Sequence, residues 1–340
     1  GLHESIAFWK HLIEFRDPEQ TFSVWLLYGP SGCGKSSLVK AGLIPNLSPE
    51  VIAIHVDATT EETEIRLVKQ LRKRLPDVTD AVGLVENMER IRRSAGPKVV
   101  LFIDQFEQWL YTHRVEPGGE WYRALRQCDG ERLQIILMIR DDFYLAAARL
   151  MQEIEVPIVT DQNFRLVDLF DMEHAQNVLL RLGQAYGKLP INVSDVSIQQ
   201  SSFLRQVIEG LSEDGKVVPV RLALLVEMIK ARDWVPSTLT VIGGLKGIGV
   251  SFLEETFGSN RADVRYRQHF PAVRGILNAL LPETSSSIRG VVRMEVELLD
   301  VSGYRQQPKK FQEVLRILDT ELRLVTPTDV AGIIPSEVES

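Results

Sequence analysis

Residues 29–36 read GPSGCGKS, which matches the pattern G-x-x-x-x-G-K-[ST] of a phosphate-binding loop. An apolar run at residues 22–28 precedes the loop, and residues 37–43 have the composition of a helix start. Glycines let consecutive backbone N–H groups point at an anion, and the first turn of the following helix adds partial positive charge. The segment therefore predicts a strand, an anion-binding loop and a helix, which together begin an α/β fold.

The loop residues have predicted roles in binding a nucleotide. Lys35 is placed to reach the β- and γ-phosphates, and the Ser36 hydroxyl is placed to complete the ligand shell of a Mg²⁺ ion. We expect the nucleotide-binding set to be the whole loop and the residue after it: Gly29, Pro30, Ser31, Gly32, Cys33, Gly34, Lys35, Ser36 and Ser37.

The composition of the chain excludes several classes of protein. Of its 340 residues, 44% are hydrophobic and 25% are charged, as in ordinary globular proteins. Two cysteines give no disulfide framework, and no run is apolar enough for a membrane span or a signal segment, so we expect a cytoplasmic location. The net charge of −7 argues against a protein that coats nucleic acid. The chain starts at Gly1 without a methionine, which predicts a module of a longer protein.

Acidic residues follow a second buried strand, at residues 98–103. An acid at the carboxyl end of a parallel strand lies in the crevice where open α/β sheets bind ligands. We therefore predict that Asp104 holds Mg²⁺ together with Ser36, through water, although a solvent-facing turn residue is the alternative. Glu107 lies three residues further on and is the predicted general base that polarises the attacking water.

A basic residue, Arg140, ends the next apolar run at residues 133–139. A cation at this strand end is suited to contact the γ-phosphate and to report whether it is present. The alternative is an ion pair with the neighbouring Asp141 or Asp142. Lys35, Glu107 and Arg140 form the predicted catalytic set.

Three segments together resemble the STAND class of P-loop NTPases, the signal-transduction ATPases with numerous domains. They are residues 28–43, residues 101–110 and the strand that ends at Arg140. Within the class they look most like the bacterial novel STAND NTPase 1 type, which is related to NACHT and NB-ARC proteins. The resemblance implies a parallel sheet of order 5-1-4-3-2, with an additional strand. It also implies slow ATP hydrolysis that switches the protein between an ADP-bound closed and an ATP-bound open arrangement.

The resemblance also implies further domains. We predict a nucleotide-binding domain at residues 1–169, a helical lid at 170–249 and a winged-helix-like domain at 250–340. The lid is predicted without a buried strand, residues 238–249 as a Gly-rich connector, and residues 322–326 as a strand-like run of the winged helix. Members of the class carry flanking sensor or effector domains, such as WD40 repeats, a protein kinase or another enzyme domain. A nucleotide-dependent oligomer is compatible with this organisation.

Two positions depart from the family pattern. The lid of family members offers a Gly-x-Pro element whose proline packs on adenine, and the nearest match is Pro219, in GKVVP at residues 215–219, with different spacing. An ordinary proline at the first position of a helix is the alternative there. Related branches place a second acid after the position that matches Glu107, whereas this chain has Gln108, which bears on the rate of hydrolysis.

The leading hypothesis is a Mg²⁺-dependent, slowly hydrolysing ATP switch within a larger bacterial signalling or defence protein. An AAA-type remodelling ATPase is a rival, but it needs an arginine finger, and Arg123, Arg126 and Arg149 lack a defining motif. A nucleotide-locked scaffold or a DNA-binding winged helix is a third class. Acids are interspersed among the basic residues of the last domain, so a mixed solvated surface is favoured over a nucleic-acid partner.

Overall fold

Five parallel strands form the sheet of the first part of the chain, in the order β2-β3-β4-β1-β5. They are β1 (Val24–Gly29), β2 (Val51–Asp57), β3 (Lys98–Asp104), β4 (Leu133–Arg140) and β5 (Phe164–Leu166). Taken from the other edge, this is the predicted order 5-1-4-3-2, so the predicted sheet is confirmed. The computed structural model describes residues 2–17, 21–59, 62–112, 118–242, 244–245, 252–259, 262–280, 293–321 and 324–325.

The central strands are mostly apolar because both faces of the sheet are covered. Every residue of β3 is buried, and every residue of β4 except the last. Side chains alternate between two cores, so Leu101 faces one of them and Phe102 faces the other, together with Trp25. A parallel sheet that is buried on both faces requires continuous apolar runs, which is the pattern that predicted these strands.

Helices cover both faces of this sheet. On the face of Phe102 lie α1 and the loop helix α2, whose chain continues as a wider π-helical turn at Leu38–Leu43. The opposite face is covered through apolar side chains of α3, α4, α6 and α7. The bounds are α1 (Leu2–Glu14), α2 (Lys35–Ser37), α3 (Thr63–Arg74), α4 (Leu84–Arg93), α5 (Glu107–Thr112), α6 (Glu120–Leu125) and α7 (Tyr144–Glu153).

The chain divides into two units between Phe170 and Asp171, and the second unit is mainly helical. Its helices are α8 (Met172–Ala185), α9 (Ile198–Leu211), α10 (Pro219–Ile229), α11 (Pro236–Val241), α12 (Val264–Arg267), α13 (Phe270–Ala279), α14 (Glu295–Val301) and α15 (Pro308–Arg316). Single 3₁₀ or π turns lie at Val193–Asp195, Glu254–Gly258 and Ile317–Glu321. Within the described ranges, no helix combines the length and apolarity needed to cross a lipid bilayer.

Three short strands in the second half of the chain were not predicted. They are β6 (Phe170–Asp171), β7 (Ser212–Glu213) and β8 (Lys216–Val217), and they form a small sheet of order β6-β8-β7. Strands of two residues are too short to show an apolar period in the sequence. Val217 is the one buried residue among the six in these strands, so they do not contradict the expectation of a lid without a buried strand.

The predicted connector at residues 238–249 is also corrected, because its start belongs to helix α11. Pro236 occupies the first turn, and the Thr238 hydroxyl donates to the Asp233 carbonyl at 2.6 Å. The buried side chain of Leu239 fixes this helix in the core, and glycines become frequent only after it.

The winged helix and the domain boundaries remain predictions. Leu324 and Val325 are described and lie outside any strand, whereas the other residues of the predicted run at 322–326 lie outside the described residues. The same holds for residues 281–292 and 326–340. What the structure describes between 252 and 321 is helical, around an apolar core that includes Phe257, Ile276 and Phe311.

Candidate functional site

The carboxyl ends of the strands bring the predicted site residues to one edge of the sheet. The parallel register places Gly29 of β1 beside Arg140 of β4, and Asp57 of β2 beside Asp104 of β3. Helix α5 begins at Glu107, directly after β3. Residues from four separate parts of the sequence therefore meet where open α/β sheets bind ligands.

The glycines of the loop serve different purposes. Gly32 and Gly34 have positive φ angles of 76° and 99°, a conformation that favours glycine. Open space lies beside Gly34, since a Cβ there would meet nothing within 4 Å. Gly29 is required for packing instead, because a Cβ would lie 2.0 Å from the Val167 carbonyl oxygen. The turn thus leaves room next to the start of α2, as a phosphate cradle requires.

The Lys35 side chain, the cation of the loop, bonds to the loop's own backbone. The Lys35 ammonium donates to the carbonyl oxygens of Gly29 at 2.7 Å and Pro30 at 3.1 Å. The Cys33 thiol is buried beneath it, with Sγ 3.7 Å from the Lys35 nitrogen. Burial raises the pKa of the Cys33 thiol, although the charge of Lys35 acts in the other direction. Cys33 is therefore a neutral, small side chain that fills the inside of the loop.

The Asp104 carboxylate is almost fully buried and is surrounded by donors. The Gln105 backbone N–H donates to Oδ1 at 2.9 Å, and His55 Nε2 lies 3.3 Å from Oδ2. Burial alone would raise the pKa of Asp104, but hydrogen bonds from His55 and Ser36 outweigh it and lower the pKa below its usual value. The carboxylate is ionised at neutral pH and in direct contact with Ser36, the other predicted metal ligand.

Glu107 has the opposite environment from Asp104. Its side chain is 7% exposed, and in the described part of the chain its Oε2 atom has no hydrogen-bond partner. Burial raises the pKa of Glu107 to about 7, while the charges of Lys35 and Arg140 partly counteract the effect of burial. A carboxyl group that titrates near neutral pH is suited to accept and release a proton.

The turn between these two acids carries backbone strain. Gln105 has a φ of 55°, which is uncommon for a residue other than glycine. The Phe106 N–H then donates to the Met138 carbonyl at 2.9 Å, which ties the turn to β4. This conformation presents the backbone N–H of Gln105 to Asp104 and sets Glu107 at the first turn of α5. Strain of this kind clusters at functional sites.

Arg140 lies at the same edge of the sheet and is bound to a neighbouring acid. Its Nε and Nη2 atoms lie 3.1 and 2.7 Å from the two carboxylate oxygens of Asp142. The ion pair that was the alternative to phosphate sensing is therefore present. The pair is 40% exposed on the arginine side, so it contributes about 0–1 kcal/mol to stability. Contact between Arg140 and a γ-phosphate remains a prediction.

Pro219 lies apart in sequence from this site, in the second unit. It occupies the first turn of α10, with Val218 as the N-cap. This is the position of the ordinary helix-start proline that was the alternative. Its contact with adenine remains a prediction.

Sequence reasoning missed His55, which lies on β2. Its imidazole is 11% exposed and points at Asp104, while the adjacent Asp57 pairs with Lys40 at 3.4 Å. The available signal was a lone imidazole in an otherwise apolar strand, VIAIHVD, that ends on an acid. The partner of such a residue depends on the order and register of the strands, which the sequence does not show directly.

The donor set fits a nucleotide-bound magnesium ion. Mg²⁺ takes oxygen ligands, usually one or two carboxylates or hydroxyls in addition to phosphate and water. The Ser36 hydroxyl and the Asp104 carboxylate supply these atoms in contact with each other. The buried, unpartnered Oε2 of Glu107 adds an acceptor close to the same edge, where a polar ligand or water would satisfy it.

Replacement of Glu107 by Gln should stabilise the protein at alkaline pH. The pKa of Glu107 is about 7 in the folded chain against an ordinary value of 4.5. Between these values the folded state keeps a proton that the unfolded state loses, so stability falls as pH rises from 4.5 to 7. At 1.36 kcal/mol per pH unit, the cost above pH 7 is roughly 3 kcal/mol, and glutamine removes it.

Thermal unfolding at pH 5 and pH 8 checks this prediction. We expect the difference in stability between Glu107→Gln and the wild type to grow with pH. Glu89→Gln, at a partly exposed position of α4, is the control and should show no such growth. A difference that is the same at both pH values would contradict the raised pKa of Glu107.

Solved structures of two other proteins are similar to this chain over most of its length. The ORC2 protein of Aeropyrum pernix, in its ADPNP-ADP complexes, is similar over 94% of this chain and 93% of that chain, with 14% identity and a TM-score of 0.49. The Walker-type ATPase PABY2304 of Pyrococcus abyssi is similar over 88% of this chain and 85% of that chain, with 16% identity and a TM-score of 0.45. Likeness at this level says nothing about substrate or partner.

Family membership rests on a different comparison. No curated protein matches the chain. The family model for novel STAND NTPase 1 (nSTAND1) matches residues 10–329, which include the loop, Asp104, Glu107 and Arg140. Because this match spans nearly the whole chain, the protein belongs to the novel STAND NTPase 1 family of P-loop NTPases.

Proposed function

We propose that this chain is a Mg²⁺-dependent ATP-binding switch that hydrolyses ATP slowly. The observation that carries the proposal is the meeting of the phosphate loop, the ionised Asp104 and the unpartnered Glu107 at one edge of the sheet. An anion-binding loop, a carboxylate for a metal and a carboxyl base are the parts that phosphoryl transfer to water requires.

The binding part of the proposal assigns the loop to the phosphates of ATP and ADP. The left-handed glycines Gly32 and Gly34 orient backbone N–H groups toward an anion, and the Lys35 ammonium neutralises phosphate charge. In doing so Lys35 exchanges its bonds to the Gly29 and Pro30 carbonyls for bonds to phosphate oxygens. Ser36 and Asp104 would hold the metal, which would offset charge on the β- and γ-phosphates.

The hydrolytic part of the proposal assigns the proton transfer to Glu107. As the carboxylate, Glu107 accepts a proton from the attacking water through Oε2, the atom without a partner in the described part of the chain. Its pKa of about 7 keeps a substantial fraction of the group ionised near neutral pH and makes it a competent base. Gln108 in place of a second acid supports slow turnover.

The switch part of the proposal assigns a sensing role to Arg140. Its partner Asp142 lies within two residues and the pair is exposed, so exchanging this partner for a γ-phosphate costs little. Occupancy of the γ-phosphate position would then be reported to the turn at residues 141–143. Pro219, at the first turn of α10, is proposed to contact the adenine.

We further propose that the module works in the bacterial cytoplasm with flanking sensor and effector domains of the same polypeptide, as a signalling or defence protein. Nucleotide-dependent oligomerisation fits this role. The AAA-type rival requires an arginine that is offered to a neighbouring copy. Arg126, one candidate, donates instead to the Glu153 carbonyl of its own chain at 2.9 Å.

Replacement of Lys35 by Ala should abolish tight ATP binding. Each charge-assisted bond to phosphate is worth about 1.5–3 kcal/mol, so losing them weakens ATP binding by roughly 100-fold or more. Calorimetric titration with ATP and Mg²⁺ measures this, with Lys73→Ala on the exposed face of α3 as the control. Wild-type affinity in Lys35→Ala would show that the loop is not the nucleotide site.

Replacement of Glu107 by Gln should separate binding from hydrolysis. Because a general base contributes roughly 10²–10⁴ to the rate, we expect hydrolysis to slow by at least about 100-fold. The affinity for ATP should stay within about threefold of the wild type, because Glu107 does not bind phosphate. Single-turnover measurement of phosphate release, with Glu89→Gln as the control, makes the test. Unchanged turnover would leave Glu107 with a structural role only.

A further inference from the structure

We propose that His55 is a positioning residue that holds the carboxylate of Asp104 in the orientation needed for the metal. The proposal rests on the proposed function, because it assumes that Asp104 serves a nucleotide-bound Mg²⁺. His55 lies on β2, a strand that carries none of the family motifs. In this role it would affect how strongly the metal promotes nucleotide binding.

The sheet brings His55 to Asp104 from the neighbouring strand. β2 and β3 are parallel, and their register pairs His55 with Phe102 and Asp57 with Asp104. Side chains at positions two apart share a face of the sheet, so His55 and Asp104 project to the same face, one step apart along the strands. The distance from Nε2 to Oδ2 is 3.3 Å, and both side chains are largely buried.

His55 completes a set of donors that fixes both oxygens of the carboxylate. Oδ1 accepts the backbone N–H of Gln105 at 2.9 Å, and Oδ2 accepts from His55. The Ser36 hydroxyl is a third donor. A carboxylate has about four acceptor directions, so Asp104 keeps acceptor capacity beyond these donors. Rotation of the carboxylate would break its bonds to Gln105 and His55 together. These bonds therefore hold the group in one orientation, whereas a carboxylate exposed to solvent rotates freely.

The second ring nitrogen of His55 lies near Asp57 without a hydrogen bond to it. Its Nδ1 lies 4.0 Å from Asp57 Oδ1, beyond hydrogen-bond distance, and the charge of Asp57 is balanced by Lys40 at 3.4 Å. The bond to Asp104 places a proton of His55 on Nε2, since an ionised carboxylate oxygen can only accept.

Direct metal binding by the imidazole is the competing assignment. One ligand atom from each of His55, Asp57 and Asp104 lies within 4.8 Å of the others, a spacing that a divalent ion can bridge. Nε2 cannot bind a metal while it donates to Asp104, which leaves Nδ1 as the nitrogen ligand in this assignment. Mg²⁺ also prefers oxygen to nitrogen ligands. The geometry therefore favours the positioning role, and the two assignments differ in a measurable way.

The measurable quantity is the ratio of ATP affinity with Mg²⁺ to ATP affinity in EDTA, called here the metal coupling. Loss of an outer partner of a metal ligand weakens metal affinity by about 10–100-fold. Because metal binding and ATP binding are thermodynamically linked, a weaker affinity for the metal lowers the metal coupling by the same factor. A residue that only stabilises the strand would weaken folding and leave the metal coupling unchanged.

The experiment titrates a fluorescent, non-hydrolysable ATP analogue into the full chain with Mg²⁺ and with EDTA. His55→Leu removes the donor at similar volume and should lower the metal coupling about 10–100-fold. His55→Gln retains an N–H donor at similar reach and should stay within about threefold of the wild type. Ile54→Val, on the same strand but facing the opposite core, is the control and should match the wild type.

A double variant tests whether His55 acts through Asp104 and not through the stability of the fold. In an Asp104→Asn background, His55→Leu should lower the metal coupling no further, because the carboxylate that His55 positions is absent. Circular dichroism and melting curves establish that each variant is folded before the titrations are compared.

The outcomes separate the proposals. Wild-type metal coupling in folded His55→Leu would overturn the positioning role and leave the proposed function standing. Equal losses in His55→Leu and His55→Gln would also overturn it, in favour of direct metal binding by the imidazole. A wild-type protein that binds ATP equally well with Mg²⁺ and with EDTA would refute the proposed Mg²⁺ dependence and this inference with it.

Discussion

The buried carboxylate of Asp104 is the interaction on which the site depends. A carboxylate that is 3% exposed would normally be protonated, and this one remains ionised because donors from different elements surround it. They come from β2, from the loop helix and from the strained turn after β3. The sheet order makes this possible because it sets β2 next to β3 and lets β4 join β3 to β1. The fold thus keeps a buried negative charge available at the mouth of the phosphate loop.

Glu107 shows how the same chemical group serves a different role three residues later. Burial raises its pKa to about 7, and in the described part of the chain no donor reaches its Oε2 to offset the burial. The pair separates a permanent anion from a group able to exchange protons, a division that recurs in active sites with two carboxyl groups. The strained backbone of Gln105 helps to create both environments, since its N–H serves Asp104 and the turn that follows starts α5 at Glu107.

Much of the sheet and of the site could be predicted because local patterns were sufficient. Continuous apolar runs identify strands that are buried on both faces, and the acid or base after each run lies by geometry at the ligand-binding edge. The role of His55 could not be predicted, because its partner Asp104 lies on another strand and their contact depends on the register of the two strands. The Arg140–Asp142 pair could be predicted only as an alternative, because the same residues in the sequence are compatible with a surface ion pair and with a phosphate contact. The strands at 212–217 and the helix at 236–241 were missed because short elements are defined by tertiary packing rather than by a period.

The central claim is that the loop and Asp104 hold one metal–nucleotide complex between them. A crystal structure with Mn²⁺ and a non-hydrolysable ATP analogue tests it directly, because anomalous scattering locates the ion without assumptions. We predict one ion within about 2.0–2.3 Å of the Ser36 hydroxyl and linked to Asp104 through water, with the phosphates on residues 29–37. An ion bound elsewhere, or phosphates bound away from this loop, would contradict the account.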